Sequence, residues 1–234
     1  MRIPFLLAVL GFAALFFAAD WSAFGTDVYR VHKPPQDLIA AARMGANDAV
    51  ETLLAAGAAI NQADEKGWTP LFEAVSHLKA ETVALLLEKG AEAKVVSKTG
   101  LDAMHYAGVY GCDACVKILK AHGLDVNGRD PDGWTALHYA ASLGHASTTE
   151  ALIAAGAVVN ARNNSGDTPL HLSTNQRLID CAKVLLEHGA DLHVKNDIGL
   201  SPMRSASFRE EQELHLFFLE WEKEHGKAPA TRRN

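Results

Sequence analysis

The stretch from Gly133 to His145, GWTALHYAASLGH, gathers Trp134, Thr135, His138, Tyr139 and His145, and imidazoles so close together can hold a metal or move a proton. A second group points to thiol chemistry. Cys112 and Cys115 stand as C-x-x-C at the start of an expected helix, where the helix dipole lowers a thiol pKa. A reactive site is unique along a chain, whereas an architectural motif repeats. Gly67, Gly100, Gly133, Gly166 and Gly199 are evenly spaced without slippage, and the chain at those glycines reads GWTPLFEA, GLDAMHYA, GWTALHYA, GDTPLHLS and GLSPMRSA. His105, His138 and His171 therefore share one column, with Phe72 and Arg204 at the equivalent positions on either side. Neighbouring helices pack about 8–10 Å apart, and His–metal bonds are about 2.0–2.1 Å long, so one metal cannot bridge that column.

The elements that position these residues follow from the same period. A second glycine column, Gly57, Gly90, Gly123, Gly156 and Gly189, closes apolar runs such as VALLLEKG and AKVLLEHG. Each unit opens on a turn-forming cluster such as ADEKG, RDPDG, RNNSG or KNDIG, whose Asp, Asn and Gly suit tight turns. Thr then serves as a helix N-cap, and Pro169 occupies a first helical position, where its missing N–H costs the helix nothing. This short helix stops near Gly111 or Gly144, and a second one ends at the second glycine column. Neither helix is stable alone, so the pairs must stack around a continuous core. The fold class is all-α, a solenoid of helix-turn-helix units joined by short hairpin-like turns. Its end units are atypical: PPQDLIAAARMG lacks the Gly-x-Thr-Pro opening, and FREEQELHLFFLEWEKEHG is a charged cap.

With five registered copies of a T-P-L-H-x-A-like signature, residues 34 to 224 resemble the ankyrin repeat, whose period they also share. The units run near 34–66, 67–99, 100–132, 133–165, 166–198 and 199–226, followed by a frayed tail, 227–234. The resemblance implies that each histidine of the Thr-Pro-Leu-His motif hydrogen-bonds within its own turn. It further implies a recognition surface made of the turn tips, the residue after the first glycine and the two residues that end the first helix. Here those positions supply Trp68, Leu101, Val109, Tyr110, Trp134 and Leu143 around units two to four. Contiguous apolar groups of this kind mark interaction sites, and Trp and Tyr are favoured anchors. The competing reading folds each Trp down onto the next unit.

Cys115 shares a column with Thr82, Thr148 and Cys181 that faces the stack, and Cys181 lies two units away, beyond disulfide reach. Cys112 and Cys115 are therefore packing residues, a local disulfide or a dithiol pair; strain in an i, i+3 bridge favours packing. No phosphate loop, G-x-S-x-G elbow or H-E-x-x-H stands anywhere in the chain. A formal net charge of −6 with interspersed Lys and Arg gives no nucleic-acid footprint. Before residue 26 the chain runs from Ile3 to Ala19 without a charge. This reads as a signal peptide cleaved before Thr26 or as an uncleaved membrane anchor, followed by a linker, 26–33. The expected protein is a monomeric, non-enzymatic adaptor or inhibitor that needs no cofactor and binds another protein. It is expected in the periplasm, or anchored to the inner membrane with its repeats on the periplasmic side. The alternative from another class is a thiol-redox protein using Cys112 and Cys115.

Overall fold

A computed structural model describes residues 37–65, 67–94, 96–208 and 213–226. The apolar N-terminal run, the linker after it and the C-terminal tail lie outside the described residues, and with them the signal-peptide and anchor readings. The described residues form twelve α-helices and no strand. They come as six pairs: α1 (Leu38–Met44) with α2 (Asn47–Ala55), α3 (Pro70–Ser76) with α4 (Ala80–Glu88), α5 (Ala103–Tyr110) with α6 (Asp113–Ala121), α7 (Ala136–Leu143) with α8 (Ala146–Ala154), α9 (Pro169–Asn175) with α10 (Ile179–Glu187), and α11 (Pro202–Ser207) with α12 (Glu213–His225). The first helices of the pairs stack in one layer and the second helices in another. Among the described residues no helix is long and apolar enough to cross a membrane.

Local chemistry explains the units. In every hairpin turn one residue, Asp64, Ser97, Asp130, Asn163 or Asn196, uses its side-chain oxygen to accept the N–H of the residue four positions on, at 2.8–3.3 Å. Its own N–H donates to that residue's carbonyl at 2.8–2.9 Å, which closes the turn. The first helices then start on capping residues, with Pro70, Pro169 and Pro202 in their first turns. Gly45, Gly111 and Gly144 end three of them in the left-handed conformation, but Leu78 and Arg177 hold the same column with φ of 58° and 61°. The glycine stop is thus a feature of the backbone that two units adopt with a side chain in place, against the steric preference of L-residues.

Packing repeats with the same period. Leu71, Met104, Leu137 and Leu170 fill one column between the layers, and Leu86, Leu119, Leu152 and Leu185 fill another. Phe218 stands one full period after Leu185 and is completely buried, so α12 keeps the repeat although its sequence reads as a charged cap. At Gly108 the helices α5 and α7 approach so closely that a Cβ would stand 2.3 Å from the Ala136 carbonyl oxygen.

The histidine column joins the units to one another. The Thr135 N–H donates to His138 Nδ1 at 3.1 Å, and the Thr168 N–H donates to His171 Nδ1 at 3.0 Å. Because Nδ1 accepts, Nε2 carries the proton, and it donates to a carbonyl of the next unit: Asp167 from His138 at 3.2 Å, Leu200 from His171 at 3.1 Å. The Nδ1 bond within the turn is the one that the resemblance implied, and the second ring nitrogen adds one that spans the gap to the following hairpin. His105 Nε2 likewise lies 3.3 Å from the Trp134 carbonyl, but its capping residue is Asp102, whose carboxylate stands 2.7 Å from Nδ1. Burial disfavours charge on both partners, yet their pairing prevails: His105 is held above the usual imidazole pKa and Asp102 below the usual carboxylate range.

Candidate protein-binding face

The turn tips and the exposed sides of the first helices make one face. The residue five positions after Trp68 is Glu73, and the repeat carries that position to Tyr106, Tyr139 and Leu172. One helical turn further on lies the column His77, Tyr110, Leu143 and Gln176. The six nominated residues all stand on this face, but they do not merge into one cluster. Trp68 is half-buried and rests on the next unit, its ring centroid 5.0 Å from Tyr106 and 6.3 Å edge-on from Tyr110. Tyr106 in turn packs on Phe72 at 5.0 Å and on Tyr110 at 6.2 Å. Trp134 leans instead on Tyr139 of its own unit at 5.0 Å. Leu101 and Val109 are half-buried, while Tyr110 and Leu143 are exposed.

Two carboxylates underlie the face. Glu73 is buried and accepts a two-pronged hydrogen bond from the Arg43 guanidinium, at 3.1 and 3.0 Å, with His77 Nδ1 3.4 Å away. That pairing, with help from Asp37 and Asp64, holds the Arg43 pKa above its ordinary value. Asp130, also buried, accepts the N–H groups of Asp132 and Trp134 and the Tyr139 hydroxyl at 2.6 Å. Burial, the Asp130 hydrogen bond and the charges of Asp130 and Asp132 raise the Tyr139 pKa, and burial, Tyr106 and Glu73 raise that of Tyr110. Both phenols therefore stay protonated at neutral pH, and the Tyr139 hydroxyl donates to Asp130.

Sequence reasoning missed Tyr106, Tyr139 and Glu73 on this face. The signal was available: residues one helical turn before Tyr110 and Leu143 share their side of the helix. They were absorbed into the repeat signature because HYA looks the same in the motif whether its tyrosine is buried or half-open.

Cys112 and Cys115 form a disulfide at the turn into α6, with Cα atoms 5.2 Å apart. The preference for packing without a bond is thereby corrected: both sulfurs are buried in the core and also joined, since the turn brings Cys112 over the first turn of the helix. Cys181 is free and buried. Unfolded without reductant, the chain should titrate one thiol, and three after reduction; three thiols before reduction would rule out the bond. Among the described residues no group of three or more His, Cys, Asp or Glu side chains is placed to hold a metal ion.

A family model described as "Ankyrin repeats (3 copies)" matches residues 38–130 and again 122–196. Similar proteins include "Ankyrin repeat protein nuc-2" of Neurospora crassa, 38% identical over 87 residues, which is 36% of this chain and 8% of that protein. "Zygote-specific protein 3" of Chlamydomonas reinhardtii is 36% identical over 100 residues, which is 42% of this chain and 27% of that protein. The alignments thus span about a quarter or less of these relatives' length.

Proposed function

The chain belongs to the ankyrin-repeat family, and from that premise we propose that it is a non-enzymatic adaptor or inhibitor that docks a protein partner on a rigid surface outside the cytoplasm. Ankyrin repeats generally mediate protein–protein interaction. What supports the reading most is the row of half-open aromatic and apolar groups, Trp68, Tyr110, Trp134 and Leu143, on a face whose backbone is pinned by repeated side-chain hydrogen bonds. Large side chains already held in place lose little entropy when a partner covers them. Replacing Tyr110 or Trp134 with Ala should weaken partner binding by about 2 kcal/mol or more, read by titration of the folded variants beside thermal melts. Intact affinity in the folded fraction would move the docking surface elsewhere. The thiol-redox alternative has the burial of Cys112 and Cys115 against it, because exchange requires an attacking thiolate to reach a sulfur.

The placement outside the cytoplasm rests on the charge-free run Ile3 to Ala19 after Arg2. A fusion of residues 1–40 to alkaline phosphatase should be active, and the mass of the mature chain separates cleavage from anchoring. Activity confined to a cytoplasmic reporter would end the export reading.

A further inference from the structure

Beside Trp134 and Tyr139 an open hollow of ≈ 300 Å³ is completed by Asp132, Asn164 and Ser165. Its polar groups include one carboxylate and no cationic side chain. The Asp132 N–H donates to Asp130 and its carbonyl accepts from the Asn164 N–H, but its exposed carboxylate has no partner among the described residues. Asn164 donates one Nδ2 hydrogen to the Pro131 carbonyl at 2.9 Å and keeps its second amide hydrogen and Oδ1. The Tyr139 hydroxyl gives its proton to Asp130, so a lone pair is what it offers outward. The Arg129 guanidinium turns to the Arg162 carbonyl and does not line the hollow. An anion would meet like charge here and an apolar group would cover the Asp132 carboxylate without pairing it; a cation finds ring faces, a carboxylate and neutral oxygens together.

From this arrangement we infer that the hollow receives the guanidinium of an arginine carried on a protein partner, an inference that rests on the protein-binding reading above. The acceptors come from two successive hairpins, Asp132 from one and Asn164 from the next. Five N–H donors in a flat fork can serve several of them while the plane lies against an aromatic ring; a compact ammonium cannot do both. Asp130 is the positioning residue, since it fixes the Trp134 backbone and the Tyr139 ring that form the walls.

The test uses the full chain and a blocked pentapeptide with a central arginine among glycines, together with its citrulline and lysine twins. Binding is read from the indole N–H resonance of Trp134, assigned with Trp134→Phe. The arginine peptide should move that resonance, and the citrulline peptide, which keeps the shape and loses the charge, should not; lysine should bind more weakly than arginine. Asp132→Asn should weaken the arginine peptide by about fivefold or more without changing the melting temperature, because the Asp132 side chain makes no hydrogen bond or ion pair among the described residues. Glu88→Gln, a charge change at an exposed position of α4 away from the hollow, should leave it unaffected. Equal response to citrulline or lysine, or equal loss in Asp132→Asn and Glu88→Gln, would overturn the assignment. A protein partner that binds Asp132→Asn as tightly as wild type while losing affinity for Tyr110→Ala would also overturn it and leave the docking function standing.

Discussion

Leu137→Ala lowers the stability of the repeat array by roughly 2–5 kcal/mol, the range for truncating a fully buried leucine. Leu137 is completely buried, on a helix that packs against α5 on one side and α9 on the other. Its column is filled by Met104 and Leu170 in the adjacent units, so the surroundings cannot collapse into the vacated space without moving two helices. In an array whose units touch only their neighbours, damage at a central unit weakens both of its interfaces. Urea unfolding followed by circular dichroism measures the loss, with Leu143→Ala as the control. Leu143 is exposed at the end of the same helix and should change stability by less than about 0.5 kcal/mol. A loss below about 1 kcal/mol for Leu137→Ala would mean that the column is not a closed core.

Acid weakens the array between about pH 6.5 and 4, and His138 contributes most to that loss. Burial of the imidazole between hairpins pushes its pKa down to about 4, from 6.5 in the unfolded chain, despite the Asp167 and Ala161 carbonyls, which favour the charged form. In that window the unfolded chain binds a proton that the folded one refuses, so stability is complete above pH 6.5 and declines as the pH falls toward 4. A shift of that size corresponds to roughly 3 kcal/mol for this one fully buried ring. His171 is lowered for the same reason, burial, and adds in the same direction. His105 works oppositely. Its raised pKa gives stability that is present below pH 6.5 and lost as the pH rises through the folded value, since the charged ring is paired with Asp102. Asp102→Thr should therefore make His105 behave like its two neighbours and steepen the acid limb. Urea midpoints across pH 7.5 to 4.5, with NMR titration of the His138 ring, check both statements. A measured His138 pKa of 6 or above would overturn the account.

Whatever recurs with the period of the glycine columns was legible in residue order alone. Turn-closing Asp, Ser or Asn, the N-cap, the helix-ending glycine and the apolar columns each depend on a few neighbouring residues, and repetition separates them from coincidence. Leu137 and Leu170 as core and the histidines as architecture followed from that. Stacking settled where side chains turn once their columns are in place. Trp68 rests on Tyr106 of the next unit whereas Trp134 leans on Tyr139 of its own: five positions later stands Glu73 in one case and a tyrosine in the other, and the following unit offers Tyr106 to the first and Leu172 to the second. Leu78 and Arg177 take a left-handed conformation that their residue types disfavour, because the helices on either side of that turn are already held by packing. The histidine Nε2 bonds, the joined cysteines and the acceptor-lined hollow beside Trp134 belong to the same class: each depends on the distance between groups brought together by stacking or by a turn, and a distance in space has no signature in the order of residues.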